Sequence, residues 1–181
     1  MKNNGGYTLI ELAVVLLLIG VTLVVTVPRV RDTFSSDRLK AAARQLIGNG
    51  REMRNDAVRE QVDYVLLLDI DHGRFWKYST AMTPEMMEEM KKKAVDFPSG
   101  VKIADVYLYG QEKISTGEVA LKFYRKGYVQ PAVVHLAYSD RYMTLVFNPF
   151  LGSIKAFDEY IDVWQKETGT YPAGDIKKGF S

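Results

Sequence analysis

The sequence contains no cysteine. That absence removes disulfides, zinc–thiolate centres and cysteine nucleophiles, and it fits oxidising and reducing compartments equally well. Histidine is almost missing too. His72 and His135 are the only two, so a histidine-rich metal site is not available. No G-x-S-x-G, Walker or G-x-G-x-x-G pattern occurs, and neither histidine lies in a recognisable catalytic motif. His135 sits in an apolar strand pattern, where a hydrogen-bonded structural histidine is expected rather than a base. The residues therefore point to a chain that is not an enzyme and has no cofactor. The net charge is +2 and the pI about 8.6, too mild to argue for nucleic acid. No internal repeat or low-complexity segment is visible. The length suits one globular domain plus an appendage.

What the sequence does have is GGYTLIELAVVLLLIGV, from Gly5 to Val21. Between Tyr7 and Val27 the ionisable side chains are Glu11 and the phenol of Tyr7. A helix over 7–27, at about 1.5 Å per residue, spans roughly 30 Å, the hydrocarbon thickness of a bilayer. A buried core helix is rarely apolar on every face over that length. A secretory signal peptide has a shorter apolar core followed by a small-residue cleavage site, whereas this run ends in Thr26-Val27-Pro28-Arg29. A plain single-span anchor leaves Glu11 unexplained, because a carboxylate costs about 3 kcal/mol at the centre of a membrane segment and less near its end. A cut after Gly6 would create a cationic amine on Tyr7, four residues and one helical turn from Glu11. That pair can form within one chain or between neighbouring chains.

Gly5-Gly6-Tyr7-Thr8-Leu9-Ile10-Glu11-Leu12 resembles the class III leader of type IV pilins and type II secretion pseudopilins. The resemblance implies that prepilin peptidase removes 1–6 by cleaving after Gly6. It implies N-methylation of Tyr7, where Phe or Met is more usual. It also implies a docking role for Glu11 and a helix-loosening role for Pro28. Counting positive charges, with Lys2 on one side and Arg29 and Arg31 on the other, would place the far side in the cytoplasm. The leader motif overrides that count, since its cleavage site must face the cytoplasmic peptidase.

Beyond Pro28, Val30, Phe34, Leu39, Ala42, Leu46 and Met53 keep helical spacing, with Gly48 and Gly50 weakening the helix locally. One helix is expected over 7–60: 7–27 for membrane and assembly, 28–60 as its amphipathic continuation. The period then becomes strand-like. VDYVLLLDI (62–70), the turn Asp71-His72-Gly73 and RFWKYS (74–79) predict a hairpin. PEMMEEMKKK (84–93) predicts a short helix with Thr83 as N-cap and Pro84 in its first turn, its methionines serving to pack it. Strands are expected over 101–108, 119–124, 132–138, 142–147 and 153–157. The fold class is thus α+β: a long N-terminal helix packed on an antiparallel β-sheet domain over 61–158, with a loop-like tail over 159–181. Asp69, Asp71 and His72 carry carboxylates at alternate positions, which suits calcium. They lack the further ligands of an EF-hand loop, so a polar hairpin tip is expected and no metal site.

The order of parts, with Pro98-Ser99-Gly100-Val101, Phe123-Tyr124-Arg125-Lys126-Gly127 and YMTLVFNPFLGSIKA, is similar to the H-type minor pseudopilin and FimT domain family. Arg125 replaces a proline often found there, and Leu151-Gly152 stands for the usual Thr-Gly. This resemblance implies a structural minor pseudopilin of a type II secretion system. Such a subunit is a single-pass protein of the bacterial inner membrane with a periplasmic C-terminal domain. Its implied partners are other pseudopilins in a fibre, prepilin peptidase and the inner-membrane assembly platform. The alternatives are a minor pilin of a type IV or DNA-uptake pilus, or a membrane-tethered periplasmic binding module. FimT-like relatives can bind DNA through a basic C-terminal surface. Here Arg125, Lys126, Lys177 and Lys178 read equally well as a solvated basic face, and nucleic acid is not expected as a partner.

Overall fold

A computed structural model describes residues 8–149 and 153–162, with the side chains of 24–35 outside that set. The first helix, α1, runs Leu9–Glu60. The chain divides into two compact units, Met1–Asp37 and Arg38–Ser181.

In the second unit the helical spacing foreseen from Leu39 onward is the buried stripe. Leu39, Ala42, Leu46 and Met53 are all inaccessible, and they join the strands in a single hydrophobic core. Each large apolar side chain removed from water contributes about 1.5–3 kcal/mol. Gly50, which on propensity alone weakens the helix, has a packing reason. A Cβ there would lie 2.6 Å from Ile154 Cδ1 and 3.5 Å from the Phe123 ring. Glycine lets the helix backbone approach these side chains closely. Polar ties flank the stripe: Arg38 donates to the Ser99 carbonyl, Arg54 Nε to the Gly127 carbonyl at 2.7 Å, and Lys77 pairs with Glu52 at 2.6 Å. The helix ends where Gln61 takes a left-handed φ of 55°, a conformation that terminates helices. Its side-chain amide donates to the Val58 carbonyl at 2.7 Å.

Among the described residues eight strands follow: β1 (Tyr64–Asp69), β2 (Arg74–Ser79), β3 (Val95–Asp96), β4 (Lys102–Leu108), β5 (Glu118–Phe123), β6 (Ala132–Tyr138), β7 (Arg141–Phe147) and β8 (Ile154–Phe157). They form two four-stranded sheets, in the orders β3-β2-β1-β5 and β4-β6-β7-β8, and every pair is antiparallel. Alternation assigns one face of each sheet to the core. Leu66, Leu68, Phe75, Leu121 and Phe123 come from the first sheet; Val106, Val134, Leu136, Leu145 and Phe147 come from the second.

The short helix α2 (Pro84–Lys92) begins as its sequence requires, with the Thr83 side chain accepting the Met86 N–H. Its methionines pack peripherally, with Met87 and Met90 half-buried. None of its residues is buried, and Met86 is exposed. Lys91 fastens the helix to the first sheet, 5.2 Å above the Trp76 ring and 2.9 Å from Glu118.

Candidate functional site

The first turn of α1 is built from Thr8 and Glu11. The Glu11 N–H donates to the Thr8 hydroxyl at 3.3 Å, and the Leu12 N–H to the Thr8 carbonyl at 3.2 Å. Thr8 is the N-cap and Glu11 the third helical residue, the spacing of a capping box. A carboxylate in the first turn also complements the positive end of the helix dipole. The sequence pattern S/T-x-x-E ahead of an apolar run carries this information, and reading Glu11 only as a membrane charge passes over it.

Behind this cap the surface is apolar on every side. Leu16, Leu17, Leu18 and Ile19 follow one another at about 100° steps, and all four are exposed. Leu9 is 88% exposed. Thr22 turns its hydroxyl back onto the Leu18 carbonyl at 2.7 Å, leaving its methyl for an apolar environment. An apolar surface this continuous requires a partner phase or partner molecules. Among the described residues no helix is long and apolar enough to cross a membrane. The expected span over 7–27 extends past them, since Tyr7 and the side chains of 24–27 lie outside. Gly6 also lies outside. Pro28 falls within α1, and its side chain is outside the described set. The structure therefore brings Glu11 together with Thr8, and describes no relation of either to Gly6, Tyr7 or Pro28.

A second constellation lies in the globular unit, on the face of the second sheet turned from the core. His135 of β6 is fully inaccessible. Its Nδ1 is 2.5 Å from Asp105 Oδ1 on β4, and its Nε2 is 3.0 Å from the Ile161 carbonyl. Lys113 reaches Asp105 Oδ2 at 3.1 Å and donates to Tyr160 Oη at 2.5 Å. Tyr160 O–H donates to Asp105 Oδ2 at 3.3 Å, and its ring stacks on His135 with centroids 4.0 Å apart. Burial works against the Asp105 charge. The hydrogen bond from His135 and the contact with Lys113 outweigh it and hold the carboxyl below its usual range. Lys113 is held above its ordinary value by its hydrogen bond with Tyr160 and by Asp105. His135 is thus a fully partnered structural residue. Its neighbours in sequence mark an apolar strand but carry no hint of Asp105 or Tyr160, which reach it through tertiary pairing.

At the β1–β2 turn, Asp69 is buried, and both its oxygens lie at 2.9–3.0 Å from His72 Nδ1. Arg74 Nε also donates to Oδ2 at 3.0 Å. Asp71 Oδ2 accepts the Gly117 N–H at 3.0 Å. The Asp69 carboxylate is spent on the turn and that of Asp71 on the segment just before β5. Among the described residues no group of three or more His, Asp or Glu is arranged to hold a metal ion. Arg125 and Lys126 are exposed at the turn after β5, and Lys177 and Lys178 lie outside the described residues.

The model of the prokaryotic N-terminal methylation motif matches residues 1–27. No curated protein matches the chain by sequence. Among solved structures, the crystal structure of the minor pseudopilin EpsH from the type II secretion system of Vibrio cholerae superposes with a TM-score of 0.50 at 15% identity, covering 69% of this chain and 96% of that one. A second structure of EpsH from the same organism gives 0.48 at 13% identity, covering 66% and 94%. The first likeness is one of fold: this chain has the α+β, pseudopilin-like architecture of a long N-terminal helix followed by antiparallel sheets.

Proposed function

We propose that this chain is a structural minor subunit of a pilus-like fibre, a pseudopilin of a type II secretion system that takes part in protein export and is not an enzyme. The observation that carries the reading is a conjunction. A prepilin-type methylation motif over 1–27 coincides with an uninterrupted exposed apolar helix surface behind Glu11, joined in sequence to a pseudopilin-like fold. In this reading the peptidase cleaves after Gly6 and Tyr7 is methylated. The apolar helix over 7–27 rests in the inner membrane, with the globular unit in the periplasm, until the assembly platform moves it into the fibre. Apolar helix packing drives insertion among neighbouring subunits. Glu11 meets the Tyr7 amine of a neighbour in a low-dielectric bundle and selects register, and Pro28 loosens the helix between its two parts.

The test is a photo-crosslinking residue at Leu16 in the secreting host. Adducts to other pilin-like subunits are expected, and Glu11→Ala should abolish them. A chain that crosslinks only to lipid, with or without Glu11, overturns the fibre reading.

One observation favours a second reading, a membrane-tethered periplasmic module. Glu11 stands in the first turn of α1, where the positive end of the helix dipole favours a carboxylate without any new amine. A tether predicts an uncut leader and an indifferent Glu11.

A further inference from the structure

We propose that His135 is a pH-dependent latch: doubly protonated, it fastens the strap over 159–162 to the outer face of the second sheet, and loss of one ring proton loosens that strap. The inference stands apart from the secretion reading.

His135 Nδ1 faces a carboxylate oxygen of Asp105 and Nε2 faces the carbonyl of Ile161. A carbonyl only accepts, and so does an ionised carboxylate. A neutral imidazole carries one N–H and satisfies one of these partners; the imidazolium satisfies both. Moving the extra proton to Asp105 would also settle the count. Lys113 at 3.1 Å and the Tyr160 hydroxyl at 3.3 Å, both directed at Oδ2, oppose that by favouring the carboxylate. The Tyr160 ring, stacked on His135 at 4.0 Å and 18°, offers its face to a cation.

The groups facing His135 come from every element around it. Asp105 and Tyr107 belong to β4, Lys113 to the loop after it, Tyr142 to β7, where it packs edge-on to Tyr160, and Tyr160 and Asp162 to the strap. Asp162 Oδ1 is buried with no hydrogen-bond partner among the described residues. Burial, then the Asp162 charge, raises the Tyr107 phenol. Two carboxylates thus stand in this cluster with Lys113, and a protonated His135 supplies the second cation.

Among the described residues the strap has two other fastenings, the Tyr160 hydroxyl on Asp105 and Lys113 and the side chain of Thr144. Thr144 Oγ1 donates to the Glu159 carbonyl at 2.6 Å and accepts the Ile161 N–H at 2.9 Å. Neither bond titrates. Deprotonation of His135 therefore turns a lone pair toward the Ile161 carbonyl, and the Tyr160 and Thr144 contacts then hold the strap less tightly. The expected result is local loosening rather than unfolding.

The test is a pH titration of the full chain in detergent micelles, from about pH 5 to about pH 9. It follows the His135 ring nitrogens by ¹⁵N NMR and amide exchange at Ile161, corrected for its intrinsic pH dependence. The latch predicts two ring protons at the acid end. It also predicts a step of about tenfold or more in Ile161 exchange that tracks loss of one of them. His135→Gln should remove the step. Should that variant not fold, the Ile161 carbonyl ¹³C shift of the unaltered chain serves instead and should step with loss of the same proton. A ring that is singly protonated throughout with a protected strap overturns the proposal. So does a ring that titrates without changing exchange, or one that never titrates in this range.

Discussion

The backbone N–H of Glu11 donates to the side-chain hydroxyl of Thr8 at 3.3 Å, closing the first turn of α1. The glutamate therefore has two separable features: an amide that completes a cap and a carboxylate that can act elsewhere. Thr8→Ala should destabilise the helix start by about 0.5–2 kcal/mol and leave fibre incorporation intact. Glu11→Gln keeps the amide and should abolish incorporation. Circular dichroism of the detergent-solubilised chain reads the first effect, and crosslinking in the host reads the second.

Two glycines in one helix should respond in opposite ways. A Cβ added at Gly48 would meet nothing within 4 Å, so Gly48→Ala should stabilise by about 0.5–1 kcal/mol through helix propensity. Gly50 lies against Ile154 and Phe123, and Gly50→Val should cost about 1–3 kcal/mol by overpacking. Thermal unfolding of the full chain in detergent should show the midpoint rising for the first and falling for the second.

Acid should weaken the globular unit. Burial opposes the charge of Asp69, but its contacts with His72 and Arg74 prevail, and its carboxyl, like that of Asp105, sits below the ordinary range. A carboxylate whose folded value is depressed contributes stability above its unfolded value, about pH 4, and that contribution disappears as pH falls through the folded value. Unfolding midpoints should therefore drop from about pH 4 downward. Asp69→Asn should flatten part of this slope, and an unchanged slope would show that the Asp69 contacts are not maintained in solution.

Asp105 should be the most costly single polar position. It is 3% exposed and joins His135, Lys113 and Tyr160. Asp105→Ala leaves Lys113 and His135 without their anion and should cost about 3–5 kcal/mol, the range for breaking a buried pair from one side. Denaturant unfolding measures it.

Local signals were legible in the sequence; long-range ones were not. Thr83-Pro84 announces the start of α2, and Asp71-His72-Gly73 announces the hairpin between β1 and β2, because caps and turns depend on neighbours in the chain. Strand β3, Val95–Asp96, is too short to carry a period and exists through pairing with Arg74 and Phe75. The division into two sheets depends on β5 joining β1 and β6 joining β4, contacts that no window of sequence contains. The residues Glu159 and Tyr160, which read as the start of a tail, are held by Thr144 and Asp105, partners far back in the chain. At the candidate site both signals are local: the methylation motif and the Thr8-x-x-Glu11 capping pattern each stand in the sequence, and the hydrogen bond shows the second in use.

The central claim is that a membrane-embedded acid is matched by an amine created through proteolysis. Mass spectrometry of the chain extracted from host membranes tests this most directly. The account predicts a mature protein beginning at Tyr7 with a methylated amine. A protein that retains Met1 through Gly6 would contradict it.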